Sequence, residues 1–188
     1  MNLVTKILCI LTSVFSISAC GVSDYINSKK IASAPKYAAP EKTSECEFSD
    51  RRIQRVSSYL NQIRSTEQQC GNTPYNQAPT IKWNSKLATA AKVHSDDMAE
   101  NNLFNHEGSH GLLPRDRVSN AGYDWKTTAE NIAGGADTPE QVIEQWLASP
   151  GHCHNIMNSS HTEFALACTR NNISDYRIYW TLVLASPN

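Results

Sequence analysis

The sequence predicts an α+β domain in which amphipathic helices pack against an antiparallel hairpin. Three observations carry that expectation. Apolar residues in the middle of the chain recur at three- and four-residue steps, as one buried helix face requires. Near the carboxyl end the period falls to two, with Tyr176, Ile178, Trp180, Leu182 and Leu184 alternating with Arg177, Tyr179, Thr181 and Val183. The composition also suits a real core: of 188 residues, 40% are hydrophobic and 19% charged. The formal net charge is −1 and no Lys/Arg block stands out, which speaks against a nucleic-acid partner.

The chain opens on a targeting pattern. Lys6 is basic, and residues 7–17 are apolar apart from Cys9, Thr12, Ser13 and Ser16. That length suits the core of a signal peptide; a spanning helix takes about 20 residues. Ile17-Ser18-Ala19-Cys20 resembles the lipobox of bacterial lipoproteins. Residues 1–19 are therefore expected to be a lipoprotein signal peptide, with Cys20 lipidated and holding the chain to a membrane of the cell envelope. Two or more acyl chains make such an anchor stable. Gly21 resembles the residue that sorts lipoproteins to the outer membrane where a cell has two membranes. An ordinary secretory signal with a coincidental cysteine is the alternative. Residues 20–45 combine prolines, small residues and charges without apolar periodicity, so a tether is expected there; a short amphipathic element over 25–31 is its rival. Residues 46–188 are left as one domain.

Within that domain Ile53, Val56, Leu60 and Ile63 form one helix face over 50–66. A loop with Pro74 and Pro79 follows, then Ile81-Lys82-Trp83. Ser85 is the expected cap of a second helix, with Leu87, Ala91, His94 and Met98 on its apolar stripe. Thr138-Pro139-Glu140-Gln141 reads as a helix start: threonine caps, proline takes the first helical position, and Gln141 completes a capping box. Val142, Ile143, Trp146 and Leu147 give its buried side. The helix should stop at Ser149-Pro150-Gly151, since proline disfavours helical backbone in the residue before it. Glu163 to Arg170 is the expected partner of the last strand.

Six cysteines are present. Cys9 leaves with the signal and Cys20 goes to lipid, so Cys46, Cys70, Cys153 and Cys168 remain for two disulfides, as an exported chain favours. Three pairings are possible. A helix over 50–66 would hold its ends about 25 Å apart, while a disulfide needs Cα atoms within about 7 Å. That weighs against Cys46–Cys70 and leaves the two pairings that link this segment to the carboxyl-terminal one.

Several segments together resemble one family. Residues 87–99 resemble the second helix of bacterial CAP (SCP-like) domains, and Asn105-His106-Glu107-Gly108 the motif after it. Glu130-Asn131-Ile132-Ala133 looks like the family's Glu-Asn element. Residues 146–157, through Trp146, Pro150, His152 and Cys153, are close to the bacterial form of the last signature, and Tyr179-Trp180-Thr181 resembles the closing strand. The resemblance implies an α-β-α sandwich with a central antiparallel sheet and a cleft carrying two histidines and two glutamates. Matched residue by residue, His106 and His152 take the histidine places and Glu130 the first glutamate place. Ser149 stands where the second glutamate belongs, so the set of four is incomplete.

Two imidazoles and a carboxylate in a cleft can hold a metal or share protons with a water. The resemblance implies His106 and His152 as metal ligands, with zinc as the cofactor; Glu130 could be a third ligand, a general base, or the acceptor that orients a histidine. The favoured reading is an envelope binding module whose cleft takes a small apolar ligand, a peptide or a protein partner. A metal-assisted, peptidase-like hydrolase using His106, Glu130 and His152 is the rival, and a disulfide-stapled scaffold is third. Structural roles for the same residues weigh against each: a polar side chain in a turn often only holds backbone. His94, on an apolar stripe, reads as a core residue bordering the cleft floor and ranks with Ser149. His110 and His161 read as surface positions. Ser95 next to His94 is no nucleophile–base pair, because neighbouring helix residues point about 100° apart. No phosphate loop, dinucleotide fingerprint or serine-nucleophile elbow occurs.

Overall fold

A computed structural model describes residues 46–188; the signal peptide expected at 1–19 and the lipidated Cys20 and tether at 20–45 lie outside the described residues. Among these, no helix is long and apolar enough to cross a membrane. The first helix, α1 (Asp50–Arg64), buries Val56, Leu60 and Ile63. A small hairpin, β1 (Gln68–Cys70) and β2 (Thr73–Tyr75), leads to the short β3 (Lys82–Trp83). The second helix, α2 (Ser85–Glu100), is capped by Asn84 rather than Ser85: the Asn84 side chain accepts from the amides of Lys86 and Leu87 at 2.9 and 3.4 Å. Its apolar face is Leu87, Ala90, Ala91, His94 and Met98, all buried.

Next come α3 (Pro114–Asn120), β4 (Trp125–Gly134), α4 (Pro139–Leu147), α5 (Pro150–Met157), β5 (Glu163–Arg170) and β6 (Ile178–Pro187). Thr138 caps α4 as expected, its hydroxyl accepting from Gln141 N at 3.2 Å. The Gln141 side chain, however, reaches back to the amide of Asp137 rather than of Thr138. The stop at Pro150 is real but brief. Proline is preorganised for a first helical position, and the chain restarts there as α5.

The main sheet runs β3-β5-β6-β4, antiparallel except for the two-residue β3, which lies parallel to β5. Alternation along the strands divides the core in two. Phe164, Leu166 and Cys168 of β5, with Ile178, Trp180, Leu182 and Leu184 of β6, meet α1, α4 and α5 on one face. Ala165 and Ala167, with Val183 and Ala185, meet α2 and α3 on the other. The alanines on both sides of this second interface let α2 lie close to the sheet. This is the α-β-α sandwich that the sequence resemblance implies.

Both disulfides link the early segment to the late one: Cys46–Cys168 ties the chain ahead of α1 to β5, and Cys70–Cys153 ties β1 to α5.

Candidate functional site

Glu130 sits on β4 with its side chain only 2% exposed. Taking a carboxylate out of water costs several kcal/mol unless it is paired and hydrogen-bonded, and both its oxygens are. Arg117, from α3 and itself 3% exposed, places Nη2 at 2.8 Å from Oε2. His106 places Nδ1 at 2.8 Å from Oε1. The same Arg117 Nη2 donates to the carbonyl of His106 at 2.9 Å, so one guanidinium fixes both the acid and the loop that carries the histidine. Asp97 of α2 pins that loop further on, accepting from Ser109 N at 2.8 Å.

The consequence for His106 is chemical. With Nδ1–H donating to a buried carboxylate, the tautomer is set and the Nε2 lone pair is the free one. Its ring is 48% exposed, so that nitrogen faces the cleft and solvent.

His94 lies behind this pair. Its ring is fully buried, with Nε2 3.6 Å from Glu130 Oε1. Burial is the largest influence and lowers its pKa; Glu130, next, raises it and Arg117 lowers it again, and the balance lies below the usual histidine value, favouring a neutral ring. It is a core residue beneath Glu130, as its place on the apolar stripe suggested.

His152 enters from α5, half-buried. Asn131 Nδ2 donates to its carbonyl at 3.1 Å, and Asn155 Nδ2 donates to Asn131 Oδ1 at 2.8 Å. The two residues of the Glu-Asn pair thus divide their work: Glu130 holds α3 and His106 on one face of β4, while Asn131 holds α5 on the other. The His152 pKa is lowered by burial and then by His106, so the two imidazoles are within electrostatic reach of each other. Ser149 is half-buried at the start of α5 and makes no side-chain capping bond.

The expectation for His161 was wrong. It is 2% exposed, packed below Arg64 with Nδ1 3.3 Å from the Thr127 hydroxyl; His110 is exposed, as expected. Arg117 was missed altogether. The helix that carries it was not read from the sequence, although its start has a local signal: Pro114 takes the first position and Asp116 accepts from Leu113 N at 3.0 Å. Nothing in the spacing says that the next arginine turns inward.

From His106 and Glu130 a cleft of about 530 Å³ runs to Trp125, walled by Leu113 and Arg115. Among the described residues no group of three or more His, Cys, Asp or Glu is arranged to hold a metal. Each Glu130 oxygen already accepts one hydrogen bond, which places the carboxylate to orient His106. Imidazole nitrogens are donors that a divalent metal accepts; of the two histidines, His106 borders this cleft and His152 is not among the residues that line it.

The pattern that defines "CAP: Cysteine-rich secretory protein family" matches residues 58–184. Two relatives from Bacillus subtilis (strain 168) align with part of the chain. One is the uncharacterized protein YkwD, 38% identical over 80 residues, or 43% of this chain and 31% of that protein. The other is the uncharacterized membrane protein YlbC, 32% identical over 90 residues, or 48% and 26%. The aligned part is thus less than a third of either relative's length. Among solved structures, an outer surface protein of Borrelia burgdorferi superposes with a TM-score of 0.61 at 16% identity, over 78% of this chain and 100% of that one. An extracellular protein containing a SCP domain from Bacillus anthracis does so at 0.56 and 23%, over 74% and 44%. At such identities the structures speak for the fold, and they agree with the family match. This chain belongs to the CAP, or cysteine-rich secretory protein, family.

Proposed function

We propose that the chain is an exported, lipid-anchored binding module of the cell envelope, in which His106 and His152 present a divalent metal, zinc in the first instance, at the head of the cleft. The observation that carries this reading is the pairing of Glu130, whose Oε1 meets His106 Nδ1 and whose Oε2 meets Arg117. A hydrolase would use that carboxylate to take a proton from a water, whereas here each oxygen already accepts a hydrogen bond from a side chain that it positions. What Glu130 is placed to do is hold the His106 ring with Nε2 outward, as a carboxylate does for a zinc-bound imidazole. Zinc bound there would supply a Lewis-acidic position for a donor atom of whatever fills the cleft.

Zinc titration of the full chain by calorimetry tests this. One bound zinc is expected, lost when His106→Ala and His152→Ala are combined and weakened about 10- to 100-fold in Glu130→Gln, the usual range for a group that orients a ligand. Equal zinc uptake by the wild type and the double variant would end the metal reading. The anchor is tested separately: palmitate should label the chain in cells and fail to label Cys20→Ala, and label retained in that variant would exclude Cys20 as the lipid site.

A further inference from the structure

We propose that the outer edge of β4 is a docking strand for an extended peptide bearing a carboxylate; this deepens the cleft-binding reading above and rests on it. β4 ends the sheet order β3-β5-β6-β4, so among the described residues one of its edges has no strand beside it. Which amide groups face that edge follows from the register. In an antiparallel pair alternate residues turn both N–H and C=O toward the neighbouring strand. Gly135 N donates to Ile178 O at 2.9 Å, and the register pairs Gly134 with Tyr179. Odd-numbered residues therefore face β6, while Thr128, Glu130 and Ile132 face outward.

Three further contacts agree. The Ile132 carbonyl accepts from Trp146 Nε1 at 3.0 Å, and the Glu130 carbonyl is approached by Asn155 Nδ2 at 3.5 Å, both from outside the sheet. Ala185, opposite Thr128, gives its carbonyl away from β4, to Thr162 N at 3.0 Å.

The two halves of this edge differ. α4 and α5 cover the downstream half through Trp146 and Asn155. Upstream, no described residue meets the outward N–H and C=O of Thr128 or the N–H of Glu130. A register shift between Trp125 and Thr127 ends the run. Folded proteins normally cover or blunt such an edge, and here it opens into the cleft. Successive strand side chains point to opposite faces, yet Thr128 and Ala129 both border the cleft. The cavity therefore wraps around the strand edge, as strand addition requires. Its volume of about 530 Å³ suits a segment of a few residues.

Charge selects the occupant. Among the lining residues Glu130 is neutralised by Arg117, whereas the Arg115 side chain is 60% exposed and only 3.8 Å from Asp116 Oδ1. The other Asp116 oxygen already serves Leu113 N. A carboxylate on the peptide would complete Arg115.

Amide hydrogen exchange on the full chain tests this, with blocked Thr-Val-Glu-Val-Thr as probe and Thr-Val-Lys-Val-Thr as its counterpart. The glutamate peptide should slow exchange at Thr128 and Glu130 at least tenfold and bind at least fivefold more tightly than the lysine peptide. A probe N-methylated at alternate amides should protect neither position. Thr128→Pro removes an outward N–H while leaving the β4–β6 ladder intact; it should abolish peptide binding with zinc uptake unchanged. Unaltered exchange at both amides with millimolar glutamate peptide, or full affinity in Thr128→Pro, overturns the proposal. Zinc bound without peptide protection would sink this inference alone, and peptide protection without zinc would sink only the metal reading.

Discussion

The backbone carbonyl of His161 accepts from a cation that is itself buried. Arg64 is fully buried and donates to the carbonyls of Pro79, Ile156, Asn158 and His161. Those four acceptors stitch α1 to the loop before β3, to the end of α5 and to the segment after it, and none of them is a carboxylate. Burial lowers the Arg64 pKa to about 10. Burial first, then Arg64, then His154, lowers that of His161 from 6.5 to about 4. Between those two values the unfolded chain takes up a proton that the folded one refuses. The stability that a neutral His161 contributes is therefore complete above pH 6.5 and drains away as pH falls to about 4. A shift of that size corresponds to about 3 kcal/mol. His161→Phe keeps the ring and removes the titration. Its urea midpoint should fall less than the wild type's between pH 7 and pH 4, by up to that amount in free energy. Parallel declines in the two proteins would show that the ring does not govern acid stability. The contrast with Glu130 is instructive. The Glu130 carboxylate is met by two donors, whereas the His161 ring has only a hydroxyl at 3.3 Å.

Elements with a dense apolar pattern or a local helix-start signal were legible in the sequence. β5 was expected at its observed bounds, and β6 was expected from its alternation, because both lie inside the sheet and carry apolar residues to both cores. α4 was legible from Thr138 and Pro139, whose roles depend only on local backbone geometry. β4 was not. After Trp125 it continues with the polar Lys126-Thr127-Thr128, as an exposed edge permits, and its buried part, Glu130-Asn131-Ile132-Ala133, reads as a motif rather than as a strand. α5 was hidden by Pro150, since proline marks the end of one helix and the start of the next equally well. The site divides in the same way. His106, Glu130 and His152 were identifiable through the resemblance of their motifs. Their physical partners were not: an arginine one turn into a seven-residue helix looks like any solvated residue until the fold turns Arg117 onto Glu130. The orientation of the Thr128 amide groups lies in the strand register, which no single segment encodes.

Over the whole molecule, the two disulfides are nested. Cys46–Cys168 spans 122 residues, and Cys70–Cys153, spanning 83, lies wholly inside it. On the chain-entropy account the cost of closing a loop grows only with the logarithm of its length. Either bond alone should therefore restrict the unfolded chain almost equally, by about 4–5 kcal/mol. With both present, however, the ends of each loop are already joined by a shorter path through the other bond, and the second closure removes less freedom than the first. Replacing one cysteine pair by alanines in the otherwise intact protein should then be the milder change. Replacing both should destabilise by more than the sum of the two single replacements, because the last bond removed is the one that closes an unrestricted loop. Urea unfolding of the two paired variants and the quadruple variant gives the three free energies needed. Losses that simply add, or a quadruple variant less destabilised than the sum, would mean that native contacts around β5 and α5, rather than restriction of the unfolded chain, decide what these bonds contribute.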